Sequence, residues 1–330
     1  MSAKSKFLIQ RIVFQQQATH RIVVFGTAAK FNAIAKFIPR LTVFTKRTAG
    51  FFIGRLPENH FGEGALPDPL MLLASAATTT ERIQLATTSY LLTLRNPLQA
   101  AEQVAVLDQL SGGRVLLGVG RGYAPEMLRA FHVPVAEKRR IFAWTLDLMQ
   151  KAWQGEAISL DGNPDNAVSV YPTPVQRPHP PIWVAAFGPK ALAQAGRMGL
   201  PYLSSPMEGI RTLADNYAKH RQASVEEGVS PADIVPVMRT VYVSNDATEV
   251  AALRKRVESE TENSRLQPDE GVEDWTLIGD PAYVRDGIQR YQESLGMTHM
   301  VVTRLRLPGL TESQLRASVK LLAETMAASS

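Results

Sequence analysis

From Asp68 onward the chain alternates two hydrophobic rhythms. One is an apolar stripe at helical spacing, often behind a proline; the other is a short, unbroken apolar run. DPLMLLASAATTTER (68–82) opens with the N-cap candidate Asp68 and places Pro69 at the first helical position. IQLATTSYLL (83–92) reads as a buried strand, PLQAAEQVAVLDQLSGG (97–113) as a helix that stops at glycines, and RVLLGVG (114–120) as the next strand. An amphipathic helix is predicted over 135–155, followed by a polar, proline-rich connection.

The same alternation continues downstream. PPIWVAA (180–186), LPYLSS (200–205), IVPVMRTVYVS (234–244) and THMVVTRLRL (298–307) are predicted strands. The segments 189–199, 207–228, 247–260, 279–296 and 311–327 are predicted helices, with a polar loop from Ser259 to Leu277. Most strands are continuously apolar, as strands covered on both faces must be. Six such strand–helix pairs require a parallel sheet, either open and doubly wound or closed on itself. RIVVFG (21–26) and GFFIGRL (50–56), flanking a helix candidate at 28–38, would raise the strand count to eight. The expected fold is an α/β (β/α)8 TIM barrel with an atypical first βα unit.

Charge changes the picture at one end only. Residues 1–57 carry ten Lys/Arg and no Asp or Glu, whereas the remainder carries 26 Lys/Arg against 31 acids. The body is therefore mildly acidic and has no basic, aromatic-interleaved face, which sets nucleic acid aside. No apolar run approaches the roughly 18 residues needed to cross a bilayer, so a soluble, cytoplasmic protein is expected. Cysteine is absent and six histidines are scattered, which excludes thiolate chemistry and gives no metal-ligand spacing.

GRVLLGVGRGYAPE (113–126) is the candidate chemical motif, a strand running into close-set glycines. A dinucleotide turn needs a third glycine where Tyr123 stands, so that reading fails. At the C-terminal end of a barrel strand, Gly120 and Gly122 would let backbone approach a ligand, and Arg121 would offer a bidentate fork to a phosphate. The competing reading pairs Arg121 with a carboxylate at the barrel mouth.

LDQLSGGRVLLGVGRGYAPE, TTSYLLTLRNPLQAAEQVAVL, YPTPVQRPHPPIWVAAFGPKALAQAGRMGLP and GDPAYVRDGIQRY resemble the bacterial luciferase-like flavin-dependent monooxygenase family, in order and spacing, from Leu56 to near the C-terminus. The resemblance implies a (β/α)8 barrel that uses reduced FMN as a cosubstrate with O2, or in one branch the deazaflavin F420. It implies further a separate flavin reductase, a homodimer and an unnamed small organic substrate. By position, Arg121 matches the residue that grips the flavin phosphate, with the Tyr123 amide nearby; Phe187 and Gly188 match the segment that completes that site. Ala191 stands where the family often has a hydroxyl, implying a weaker phosphate grip. Thr88 and Ser89 match a strand end under the flavin ring, where a non-proline cis peptide is expected between them. Glu102 and Asp108 match helix positions read as structural.

The luciferase branch has an acid/base histidine in an E-H-H-F motif. Here the residues are Glu58, Asn59, His60 and Phe61, with Asn59 on the catalytic histidine's position. Asparagine carries no proton near neutral pH, so light emission is not expected. His60 is the substitute base or a structural histidine, and Glu58 its orienting partner or one half of a rim ion pair. The segment 259–277 is a mobile loop over the pocket or a plain excursion. Three functional readings follow: an FMN monooxygenase, an F420-dependent hydride-transfer enzyme, and a non-catalytic flavin-binding protein.

Residues 1–57 form an anomalous segment ahead of the barrel body at 58–330. Three origins stand open: a divergent β–α–β start, a targeting or tail segment, and a one-base frameshift near Gly54–Arg55. In the last case RTAGFFIGR read one base later permits E-x-x-G-F-S-S-V, the family pattern before W-L-P-E-N-H-F.

Overall fold

The computed structural model describes residues 21–25, 53–62, 65–259, 269–303, 307 and 309–327. Its strands are β1 (Arg21–Phe25), β2 (Ile53–Leu56), β3 (Gln84–Thr87), β4 (Tyr90–Leu91), β5 (Val115–Gly120), β6 (Ile182–Ala185), β7 (Tyr202–Leu203), β8 (Pro236–Val243), β9 (Thr276–Gly279) and β10 (His299–Thr303). The helices are α1 (Pro69–Thr79), α2 (Pro97–Ser111), α3 (Pro125–Ala130), α4 (Lys138–Trp153), α5 (Pro189–Arg197), α6 (Ile210–Glu227), α7 (Ala247–Glu258), α8 (Pro281–Leu295) and α9 (Glu312–Ala327). The helix candidate at 28–38 and the interior of the polar loop, 260–268, lie outside the described residues.

Local chemistry accounts for the helix starts. Asp68 Oδ1 accepts from the amides of Leu70 and Met71, Asn96 Oδ1 from those of Leu98 and Gln99, and Asp280 Oδ1 from that of Tyr283. In each case proline follows, where its missing N–H costs nothing.

The strands pair in the order β7-β6-β5-β3-β2-β1-β10-β8-β9, with β4 beside β5, and every pairing recorded among them is parallel. β1 lies between β10 and β2 with Val24 in register with Val302 and Gly54. Ala86, Leu116, Trp183, Leu203, Met238 and Val301, each from a different strand, pack into one apolar cluster. Two larger clusters join strand and helix residues. Burial on both faces is why β5 and β8 are buried along their whole length.

Between β7 and β8 side chains bridge the strands. Ser204 Oγ accepts from Met238 N at 3.0 Å, the buried Arg239 donates Nη1–H to Ser205 O at 3.3 Å, and the Tyr217 hydroxyl donates to Pro236 O at 2.7 Å.

Three details differ from the sequence expectation. The strand expected over 83–92 is interrupted: β3 ends at Thr87, β4 resumes at Tyr90, and a 3-10 turn follows at Leu92–Leu94. Pro125–Ala130 forms a short helix, α3, which one turn of sequence is too brief to announce. Thr276–Gly279, read as the end of a polar loop, is the strand β9; four residues display no periodicity, and pairing with β8 decides their conformation.

Candidate active site

Parallel strands bring their C-terminal ends to one rim, where ligands of such folds bind. There β2 leads into Glu58–Phe61, β3 into Thr88–Ser89, β5 into Arg121, and β6 into Phe187–Gly188. Sequence positions as far apart as Glu58 and Gly188 thus reach one side of the sheet.

Glu58 is the best-tied side chain of the first group. Its Oε2 accepts from Leu91 N at 3.0 Å, and its Oε1 takes both the Arg95 guanidinium at 2.6 Å and His60 Nε2 at 2.9 Å. The Glu58 carboxylate is wholly buried, and Arg95 also stacks over the Tyr90 ring at 4.5 Å. One Glu58 oxygen thus meets both the His60 ring and the Arg95 guanidinium. Since a carboxylate only accepts, His60 donates from Nε2 in this arrangement, which leaves Nδ1 as the other ring nitrogen. The His60 ring packs edge-on to Phe131, and Phe61 stacks on the same ring. Phe61 itself takes a positive φ of 63° and is 71% exposed at the rim.

Asn59 is turned to another use. Its Oδ1 accepts from Leu66 N at 2.6 Å while its own amide donates to Leu66 O, which closes the 59–66 loop.

The Thr88–Ser89 peptide is cis. Thr88 Oγ1 is buried without a hydrogen-bond partner, while Ser89 O accepts from Glu58 N at 3.3 Å. Ser89 also abuts β5: a Cβ on Gly120 would fall 2.3 Å from Ser89 Oγ. Only glycine allows that approach.

Arg121 forms the second group. Its guanidinium is buried against the Phe142 ring and donates to Gln194 Oε1 at 2.9 Å and Ala185 O at 3.1 Å. Among the described residues no carboxylate pairs with it, contrary to the rim-ion-pair alternative. Burial lowers its pKa to about 10, and the neighbouring charge of Arg139 adds to that effect, so it stays cationic at neutral pH. Lys138 is likewise pushed down, by burial and then by Arg121 and Arg139. Gly188, with φ of 76°, turns the chain from β6 into α5, whose N-terminus starts at Pro189. Tyr123 is 80% exposed and Phe187 is exposed beside this turn.

The helix residues divide clearly. Asp108 is fully buried and its two oxygens accept from Gln176 N and Gln176 Nε2, at 2.9 and 2.8 Å; it clamps the connection ahead of β6. Glu102 is exposed on α2. Beyond the polar loop, Asp269 and Glu270 pair with Arg211 at 2.5 and 3.4 Å, fastening that end to α6. Two site residues had no signal in the sequence: Arg95, which lies 37 positions from its partner Glu58, and Gln194, one uncharged residue in the α5 pattern.

Residues 47–299 match the model of the family described as luciferase-like monooxygenase. The chain belongs to that family. The match begins upstream of Leu56, where the resemblance read from motifs begins. A protein of Sinorhizobium fredii, uncharacterized protein y4wF, is 32% identical over 229 residues, covering 67% of this chain and 66% of that protein, just under two thirds of its length. The F420-dependent glucose-6-phosphate dehydrogenase of Kineococcus radiotolerans is 29% identical over 281 residues, covering 76% of this chain and 80% of that protein. Among solved structures, monooxygenase RslO1 from Streptomyces bottropensis superposes with a TM-score of 0.77 at 23% identity, covering 92% of this chain and 98% of that one. The oxygenating constituent of 3,6-diketocamphane monooxygenase from Pseudomonas putida, in complex with FMN, gives 0.74 at 18% identity, covering 94% and 98%. At these identities the structural likeness speaks to fold. No described helix is long and apolar enough to cross a membrane.

Proposed function

We propose that the protein is a flavin-dependent oxidoreductase whose sheet closes as an eight-stranded barrel. In this reading β1 and β2 complete the ring, β7 meets β8 at the Ser204–Met238 bridge, and β9 lies outside it. The cofactor phosphate sits at Arg121, with the N-terminus of α5 beyond Gly188 as a second source of positive potential. The observation that carries this reading is Arg121 itself: a buried guanidinium held by neutral acceptors and lacking any carboxylate among the described residues. Such a cation is costly to bury unless an anion joins it.

Two further features fit the group. Thr88 Oγ1 is a buried hydroxyl without a partner among the described residues, and Gly120 lets Ser89, the other half of the cis peptide, pack directly against β5. A bound reduced flavin would supply the electrons, either to O2 for oxygen insertion or as a hydride. The chain's own part is to fix the phosphate, shield the ring with Phe61 and Phe131, and move one proton at His60 Nδ1. Glu58 holds the imidazole for that task, and Arg95 holds Glu58 in place. Asn59, engaged with Leu66, serves the loop that carries this pair.

The leading reading is a monooxygenase that uses reduced FMN and O2, the FMN being delivered by a separate reductase to a homodimer. A second reading, an F420-dependent hydride-transfer enzyme, is supported by the F420-dependent activity of the Kineococcus relative. Anaerobic titration with reduced FMN and with reduced F420, each repeated on Arg121→Ala, tests both. The expected result is saturable binding weakened at least tenfold by the substitution, equivalent to about 1.4 kcal/mol. Equal affinity in wild type and variant would remove the phosphate assignment. Substrate-dependent O2 uptake then separates oxygen insertion from hydride transfer.

A further inference from the structure

An open cavity of about 360 Å3, lined in part by Gln194, lies between α4 and α5. Arg139 and Arg140 of α4 face Lys190 and Arg197 of α5 across it, while Ala143 and Ala193 keep its floor low. Gln194 belongs to both places: its Oε1 accepts from Arg121, its Nε2 donates to Arg139 O at 2.9 Å, and its side chain lines the cavity. One side chain, Gln194, therefore joins the cavity lining to Arg121.

Its charge is unbalanced. Arg140 is paired with Glu137 in the preceding turn, and Arg197 stands 4.0 Å from Glu227. Among the described residues Arg139 and Lys190 have no ion-pair partner. Four cations, Arg139, Arg140, Lys190 and Arg197, thus line the concavity, and neither Glu137 nor Glu227 is part of its lining. Cations on a solvated helix face normally diverge and gain little from neighbours. Here they converge from two helices on one hollow, which concentrates positive potential there.

We propose that this cavity is an oligoanion subsite for the part of a cofactor that continues past its phosphate. The chemistry it suits is a flexible tail of carboxylates, as carried by F420 through its glutamate residues. FMN ends at its phosphate and would leave the cavity unused. The inference rests on Arg121 as the phosphate site and belongs to the second, F420-dependent reading of the function.

The test is fluorescence titration with F420 lacking glutamates, F420 bearing several, and FMN, at low and at high salt. Each is applied to wild type, to Arg139→Ala/Arg140→Ala and to Arg121→Ala. The expected result is that the tail raises wild-type affinity at least tenfold at low salt. The double variant should lose most of that gain and change affinity for the tail-less form less than threefold. Equal affinity for tailed and tail-less F420 in wild type would overturn the subsite, as would equal weakening of both by the double variant, since the arginines would then serve the phosphate alone. So would binding of FMN with no binding of either F420 form. Arg121→Ala separates the two claims: if it leaves every affinity unchanged, the phosphate reading fails first.

Discussion

His60 Nε2 lies 2.9 Å from the same Glu58 oxygen that accepts the Arg95 guanidinium at 2.6 Å. One buried carboxylate thus fixes an imidazole on one side and a cation on the other. Glu58→Gln keeps the shape but removes the charge and presents an amide NH2 to groups that are themselves donors. We expect kcat to fall about 100-fold, within the range for loss of positioned acid–base catalysis, with cofactor affinity little changed. The shape of the pH–rate profile should change as well, which a merely structural role would not require. An unchanged profile would remove His60 from proton transfer.

The Glu58–Arg95 pair also makes a stability prediction. Removing one member of a buried pair strands the other, at a typical cost of about 3–5 kcal/mol. Glu58→Ala and Arg95→Ala should each destabilise by about that amount. The double variant should cost at least 1 kcal/mol less than their sum, because no buried charge is then left unpaired. Urea unfolding of the four proteins measures the cycle; additivity within about 0.5 kcal/mol would show that the two do not depend on each other.

Gly120→Ala would place a methyl 2.3 Å from Ser89 Oγ and 3.0 Å from Ser89 Cβ. Overpacking of this kind costs about 1–3 kcal/mol. Ser89 O also holds the Glu58 amide, so the displacement reaches the His60 group. A lowered Tm and weaker FMN binding are expected. Adding Ser89→Gly removes the obstructing hydroxymethyl and should recover most of the lost stability; failure to recover would place the strain elsewhere.

The helices were legible because their ends carry chemistry: Asp68, Asn96 and Asp280 cap, and a proline follows each. The buried strands were legible as unbroken apolar runs. What the pattern could not contain is long-range pairing. Arg95 sits in an ordinary polar turn until the fold brings Glu58 to it. Asp108 reads as one more polar residue of an amphipathic helix, yet it faces inward because Gln176, 68 positions on, supplies two donors. Arg121 was legible as a site by its glycine neighbours, whereas its neutral partners Gln194 and Ala185 O came only with the fold. The brief β9 was hardest, since pairing with β8 rather than its own composition fixes its conformation.

His220 gives a pH prediction away from the site. It is buried on α6, and its Nε2–H donates to Leu200 O at 2.9 Å, joining α6 to the turn after α5. Burial lowers its pKa below 6.5; the bond to Leu200 opposes that shift and the charge of Arg221 assists it. The folded state therefore prefers the neutral ring, while the unfolded chain takes up a proton near the ordinary histidine value. The stabilisation is fully present above pH ~6.5 and is lost as pH falls from there through the lower folded-state value. His220→Gln can still donate to Leu200 O but does not titrate. We expect the Tm difference between pH 7.5 and pH 5.5 to be smaller in the variant than in wild type, the other histidines being common to both. An equal difference would mean that His220 takes up its proton as readily in the folded protein as in the unfolded chain.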